Sequence, residues 1–245
     1  MTRMTRVELL APAGNRECLE AAARFGADAV YAAGKAYGLR AFADNFTLEE
    51  ISDAAAYLHG LGKKLYIALN AVFHEKDYDG LEAYVSGLCA ARVDALIVSD
   101  PGVFLLVRRV APDIPVHIST QANTCSAASA EFWHSQGASR VVLSRELSLE
   151  EIASIRRKAA DSLELEAFVH GAMCISYSGR CLLSSFITGR SGNSGACAQP
   201  CRLPYRLEGA VRAEGHLLST RDLRTLYDLA ALSKAGVRAI KIEGR

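Results

Sequence analysis

Short, nearly continuous apolar runs alternate along the chain with stretches whose apolar positions recur at helical spacing. The runs are Val7–Ala11, Ala27–Ala32, Lys64–Asn70, Ala95–Ser99, Val116–Thr120, Arg140–Leu143, Leu163–Val169 and Ala239–Ile242. Short and nearly continuous in apolar character, they read as parallel strands buried on both faces. Several intervening helices announce their starts. Thr47 and Ser148 each precede a glutamate three residues on (Glu50, Glu151), the spacing of a capping box, and Asp100 followed by Pro101 reads as an N-cap with proline at the first helical position. Eight such alternations in 245 residues predict an α/β fold of the (β/α)8, TIM-barrel-like kind, as a single domain over 1–245. An open doubly wound sheet is the alternative, but no G-x-G-x-x-G follows the first strand.

A weak internal repeat supports the barrel. GADAVYAAG from Gly26, VDALIVSD from Val93, GASRVVLSRE from Gly137 and GVRAIKIEG from Gly236 share one plan, a helix end leading into a buried strand with polar residues at its far end. They are the second, fourth, sixth and eighth strands, and alternate strands supply each interior layer of such a barrel. The plainer explanation is that glycine terminates many helices and αβ turns look alike. Two features break the rhythm. A long excursion, 170–219, rich in Gly, Ser, Arg and Cys, follows the seventh strand and is expected to be structureless and functional. The eighth strand then closes the sequence with no eighth helix after it, so the barrel is expected to be cut short there.

Composition narrows the partners. Lys+Arg 28 against Asp+Glu 27 leaves a formal net charge of +1, so an anionic partner must be met by a local patch and not by a global field. No window approaches the roughly 18 apolar residues of a membrane span, and the N-terminus is not a signal peptide. A cytoplasmic address is expected, where thiols stay reduced. Of seven cysteines, four crowd into the excursion: Cys174, Cys181, Cys197 and Cys201, with six, fifteen and three residues between them. Four thiolates on one glycine-rich loop can hold a 4Fe–4S cluster or zinc, although the spacing is wider than the C-x2–4-C knuckles of zinc sites. Four buried thiols without metal are the remaining alternative. From Gly171 to Arg206 there is no Asp or Glu, while Arg180, Arg190, Arg202 and Arg206 are present and would offset the negative charge of a thiolate-bound cluster.

At the ends of the other strands, where a barrel gathers its chemistry, stand Asn70, Asp100, Thr120, Gln121, Arg145, Glu146, Glu166, His170, Lys241 and Glu243. Asp100 is accounted for as a cap. Helix N-termini do not call for Arg or Lys, so Arg145 and Lys241 are candidates for receiving an anionic co-substrate. Glu146, His170 and Glu243 are candidates for moving protons. No H-E-x-x-H, G-x-S-x-G or P-loop is present.

The run EAFVHGAMCISYSGRCLLS, Glu166 to Ser184, resembles the signature of the collagenase-like peptidases of unknown catalytic type, the thirty-second family of that class. Its glutamate, phenylalanine, glycine, two cysteines and closing serine fall in place. LLAPAGN, HISTQANT, VVLSRELSLEEI and IKIEGR are similar to further family blocks, so the resemblance covers nearly the whole chain. It implies an iron–sulfur protein for oxygen-independent hydroxylation, acting on tRNA or ribosomal RNA bases with prephenate as a requirement, or on a quinone precursor in ubiquinone synthesis. GACAQPCRLPY is most similar to the RNA branch. The resemblance implies Cys174, Cys181 and Cys197 as cluster ligands. For the fourth, Cys201 competes with a position at which several members place a cysteine after a Ser-x-Lys-Asp-Leu block; here the block reads STRDLR and the position is Arg224. The rival readings are a peptidase and a non-catalytic scaffold or partner subunit with a structural cluster.

Overall fold

The computed structural model describes residues 6–38, 44–209 and 211–244. Its strands are β1 (Glu8–Pro12), β2 (Ala29–Ala33), β3 (Lys64–Leu69), β4 (Ala95–Val98), β5 (Val116–Ile118), β6 (Arg140–Val142) and β7 (Glu164–Gly171). Three short strands of the excursion follow, β8 (Tyr205–Leu207), β9 (Ala213–Gly215) and β10 (Leu223–Arg224), and then the last barrel strand β11 (Ala239–Ile242). β1 to β7 pair in sequence order, all parallel, and β11 joins β7 to β1 and closes the barrel. The helices are α1 (Arg16–Arg24), α2 (Leu48–Gly60), α3 (Leu81–Ala90), α4 (Pro101–Val110), α5 (Ala127–Ser135), α6 (Leu149–Lys158), α7 (Leu183–Thr188) and α8 (Leu229–Lys234).

The local signals act as the chain predicts. Thr47 and Ser148 close capping boxes with Glu50 and Glu151, and the Asp100 side chain accepts the Val103 N–H at 3.0 Å. The four repeat strings share a cause: the chain turns from helix to strand through a residue with positive φ, namely Gly26, Arg92, Gly137 and Gly236. Their likeness is the likeness of αβ turns. The excursion is not structureless, contrary to the expectation from its composition. It carries α7, an antiparallel β8–β9 hairpin, and β10, which pairs antiparallel with the end of β7. It also runs past residue 219, to the turn that begins α8.

Strand alternation divides the core in two. Val30, Ala32, Leu65, Ile67, Leu69, Leu96 and Val98 face the helices, while Leu10, Ala29, Ala33, Tyr66, Ala68, Ala95 and Ile97 form a separate interior cluster. Four of those seven inner residues are alanines, too small to fill a barrel of this size. Charged side chains occupy the space they leave. Arg140 on β6 donates to Glu8 at 2.6 Å and to Glu166 at 3.1 Å, and through Nε to Glu164 at 2.8 Å. Tyr66 donates to Glu8 at 3.0 Å, and the His117 ring meets the Tyr66 ring edge-on at 4.8 Å.

This interior sets an acid limit on stability. Burial alone would push the Glu8 carboxyl up, but the Arg140 guanidinium, helped by Lys64 and Tyr66, overcomes it and holds Glu8 below the ordinary carboxylate range. Burial, reinforced by Arg140, Lys241 and Lys64, keeps His117 neutral well below the usual histidine value of 6.5. Both groups therefore bind fewer protons folded than unfolded. Their contribution is present above the unfolded pKa values and is lost as pH falls through the folded ones. The urea midpoint should be lower at pH 5 than at pH 7, and the drop should shrink in His117→Phe. An equal drop in both proteins would exonerate the histidine.

Candidate active site

A cavity of about 620 Å³ opens at the carboxyl ends of the barrel strands. Pro12, Tyr31, Asn70, Ser119, Thr120, Gln121, Arg145, Phe168, Lys241 and Glu243 line it from the barrel side. The excursion folds over this face and supplies the opposite wall. Cys174, Cys181, Cys197 and Cys201, the four crowded thiols, all line the cavity. Cys18, on the first turn of α1, joins them there, a fifth thiol with no sequence signal to mark it.

The excursion is held down by buried and half-buried polar side chains. Arg145 is the central tie: its guanidinium donates to the Ala172 carbonyl at 3.0 Å, to Ser178 Oγ at 3.0 Å and to Glu243 at 3.1 Å. One side chain thus joins the end of β6, the start of the excursion and the end of β11. Ser184, fully buried on α7, donates to the Arg190 carbonyl at 2.7 Å and accepts the Ala198 N–H at 2.9 Å, which closes the loop leading to Cys197. Arg202 donates to the carbonyls of Met173 and Thr220, each at 2.8 Å, fixing the segment next to Cys174 against the one next to Cys201. Gly179 packs so closely that an added Cβ would lie 2.1 Å from Gln121 Oε1, and its φ is +72°. The positive φ favours glycine there, and any larger residue would also have to displace the Gln121 amide.

The thiols feel one another. Burial raises the Cys201 thiol above its ordinary value; the Arg202 charge opposes that rise, and Cys174, Cys197 and Cys181 add to it. The Gln199 N–H donates to Cys197 Sγ at 3.3 Å. All seven cysteines are free thiols.

On the barrel side, Phe168 lies between two cations. The Arg145 guanidinium carbon is 5.5 Å from its ring centroid and Lys241 Nζ is also 5.5 Å away, while Nζ is 4.2 Å from the Tyr31 ring. Each cation has a carboxylate behind it, Glu243 for Arg145 and, for Lys241, the fully buried Glu166 at 3.3 Å. The same Glu166 accepts from Arg140, so the barrel's interior charges run up to the cavity floor.

Of the strand-end candidates, Arg145, Lys241 and Glu243 are brought together with the four cysteines. Glu146 and His170 are not. Glu146 is exposed and accepts from Ser144 on its own loop. His170 is exposed at the end of β7, where Arg224 of β10 lies opposite it on one side and Ile242 of β11, past a register shift between Lys241 and Ile242, on the other. Glu8, Tyr66, Arg140 and His117 were missed as a group, since nothing in their spacing marks them as neighbours inside a barrel.

A closed eight-stranded parallel barrel with a cavity at the carboxyl ends of its strands is a TIM barrel with its candidate site on the usual face. A solved structure described as the U32 peptidase Mk0906 shares this fold, with a TM-score of 0.67 and 16% identity over 100% of this chain and 96% of that one. The profile of peptidase family U32 matches residues 14–245, and the chain belongs to that family. It is 43% identical over 248 residues to "tRNA hydroxylation protein P1" of Bacillus subtilis, covering 97% of this chain and 58% of the relative. It is 40% identical over 244 residues to "23S rRNA 5-hydroxycytidine C2501 synthase" of Escherichia coli, covering 98% of this chain and 36% of the relative. The chain thus spans well under two thirds of either relative. Among the described residues no helix is long and apolar enough to cross a membrane.

Proposed function

We propose that this chain carries a 4Fe–4S cluster on Cys174, Cys181, Cys197 and Cys201 and acts in the cytoplasm to hydroxylate a base of tRNA or ribosomal RNA without molecular oxygen. The observation that carries the reading is the delivery of four thiols from one excursion to the mouth of a barrel cavity. Four cysteines at spacings wider than a zinc knuckle, in a stretch free of Asp and Glu, suit a multi-iron core better than zinc. The relatives' names favour RNA over a quinone precursor.

Such a cluster, when bound, supplies one-electron redox chemistry. The chain's own residues bind and orient. The cavity's volume admits a base swung out of its stack. Arg145 and Lys241, on either side of Phe168, are placed to hold the carboxylates of an anionic co-substrate, for which prephenate is the candidate. Glu243 and Glu166 fix the two cations. The proton-moving role falls to Glu243, because Glu146 and His170 lie outside the cavity.

Nucleoside mass spectrometry of tRNA and ribosomal RNA tests the reading. A hydroxylated pyrimidine should fall at least tenfold in cells lacking the gene and return with it. Unchanged RNA beside a missing quinone hydroxylation would move the assignment to the quinone precursor. Cleavage of gelatin or casein that disappears in a point mutant of iron-replete protein would restore the peptidase reading.

A further inference from the structure

The rim of the cavity carries large apolar side chains that no described part of the chain covers. Tyr177 is 54% exposed, Leu182 68% and Phe186 91%. The Phe186 N–H donates to the Leu182 carbonyl at 2.9 Å, so the two side chains stand one helical turn apart on one face. The segment that bears them also builds the cavity: Cys181 precedes Leu182, and Ser184 of α7 lines the wall. Arg180 stands between Tyr177 and Leu182 in sequence and is exposed. Its guanidinium makes no ion pair with the described residues, and no Asp or Glu occurs from Gly171 to Arg206.

Exposed apolar faces normally mark contact sites, and uncompensated positive charge beside them selects an occupant that is both flat and anionic. Nucleotides of a single strand present both a π-face and a phosphate. We infer that Phe186 and Leu182 form a platform on which a nucleotide flanking the target base stacks, with Tyr177 beside it and Arg180 on its phosphate. This rests on the RNA reading above and adds to it a specific contact surface.

The test measures anisotropy of a labelled, unstructured pyrimidine oligoribonucleotide with iron-replete protein purified without air. Phe186→Ala should weaken binding by about 5- to 100-fold with iron content and melting temperature unchanged. Arg180→Ala should reduce the slope of log affinity against log salt by about 0.7. Phe25→Ala, an equally bare phenylalanine past the far end of α1, should change nothing. Wild-type binding in both Phe186→Ala and Leu182→Ser overturns the platform, while the RNA reading survives if the gene still restores the hydroxylated nucleoside in cells. Wild-type protein without RNA affinity overturns the platform, and with unchanged cellular RNA it overturns the RNA reading as well. Loss of binding to anionic phospholipid vesicles in Phe186→Ala, with RNA binding intact, reassigns the rim to a membrane surface and also overturns the platform.

Discussion

Serine in place of Cys181 should strip most of the iron from protein purified without air, from about four atoms per chain to less than one. The same is expected of Cys174→Ser. The barrel should remain folded, because both cysteines lie on the excursion wall, outside the two apolar clusters that hold strands and helices together. Iron analysis beside circular dichroism separates the two effects. Cys201→Ser tests the fourth ligand by itself: its thiol lines the same cavity and feels the other three, so iron should fall there too. Unchanged iron in Cys201→Ser would send the fourth ligand elsewhere, and colourless wild-type protein with one zinc per chain would end the cluster assignment.

Arg140→Met should be the most destabilising single change in the barrel interior. Burial opposes the Arg140 charge, and the carboxylates of Glu166 and Glu8 overcome that opposition and hold the guanidinium protonated. Its side chain is 4% exposed and that of Glu166 is 0% exposed. Methionine fills the volume but leaves Glu166 with Lys241 alone and Glu8 without its closest cation. Removing one partner of a buried ionic group costs about 3–5 kcal/mol, which in a domain of this size is a fall in melting temperature of roughly 10 °C. Adding Glu166→Gln should recover part of the loss, because the uncompensated charge is then gone. A single variant within about 1 kcal/mol of wild type would show that solvent reaches the network and screens it.

Much of this architecture is legible along the chain because the strands are buried on both faces and the helices carry their own start signals. Residues 65–69 and Ala95–Val98 read as uninterrupted apolar runs, and Thr47, Asp100 and Ser148 cap the helices they precede. The excursion was harder to read. Its order comes from distant ties such as Arg145 to Ala172 and Arg202 to Met173, and glycine-rich sequence carries no periodicity from which α7 or the hairpin could be read. The same limit applies at the site. The cysteines announce themselves by crowding, and Arg145, Lys241 and Glu243 by standing at strand ends. Whether a strand-end side chain turns toward the cavity depends on local register, and at His170 the register between β7 and β11 shifts. Glu8, Tyr66 and Arg140 belong to three separate strands, and only closure of the barrel makes them neighbours.

The pairing of β10 with β7 has a consequence for how this protein can vary. Leu223 lies opposite Gly171 and Arg224 opposite His170, so the excursion leaves and returns at one point on one strand. The Thr225 N–H and hydroxyl both donate to the Val169 carbonyl at 3.0 Å, just inside that point. A loop whose ends are already clamped adds only about 0.6 kcal/mol of closure entropy for each doubling of its length. The thiol-bearing segment is therefore a cassette on a closed stem. It can lengthen, shorten or be exchanged for another while the eight-stranded ring beneath keeps its register, so one wall of the cavity can change without change to the barrel.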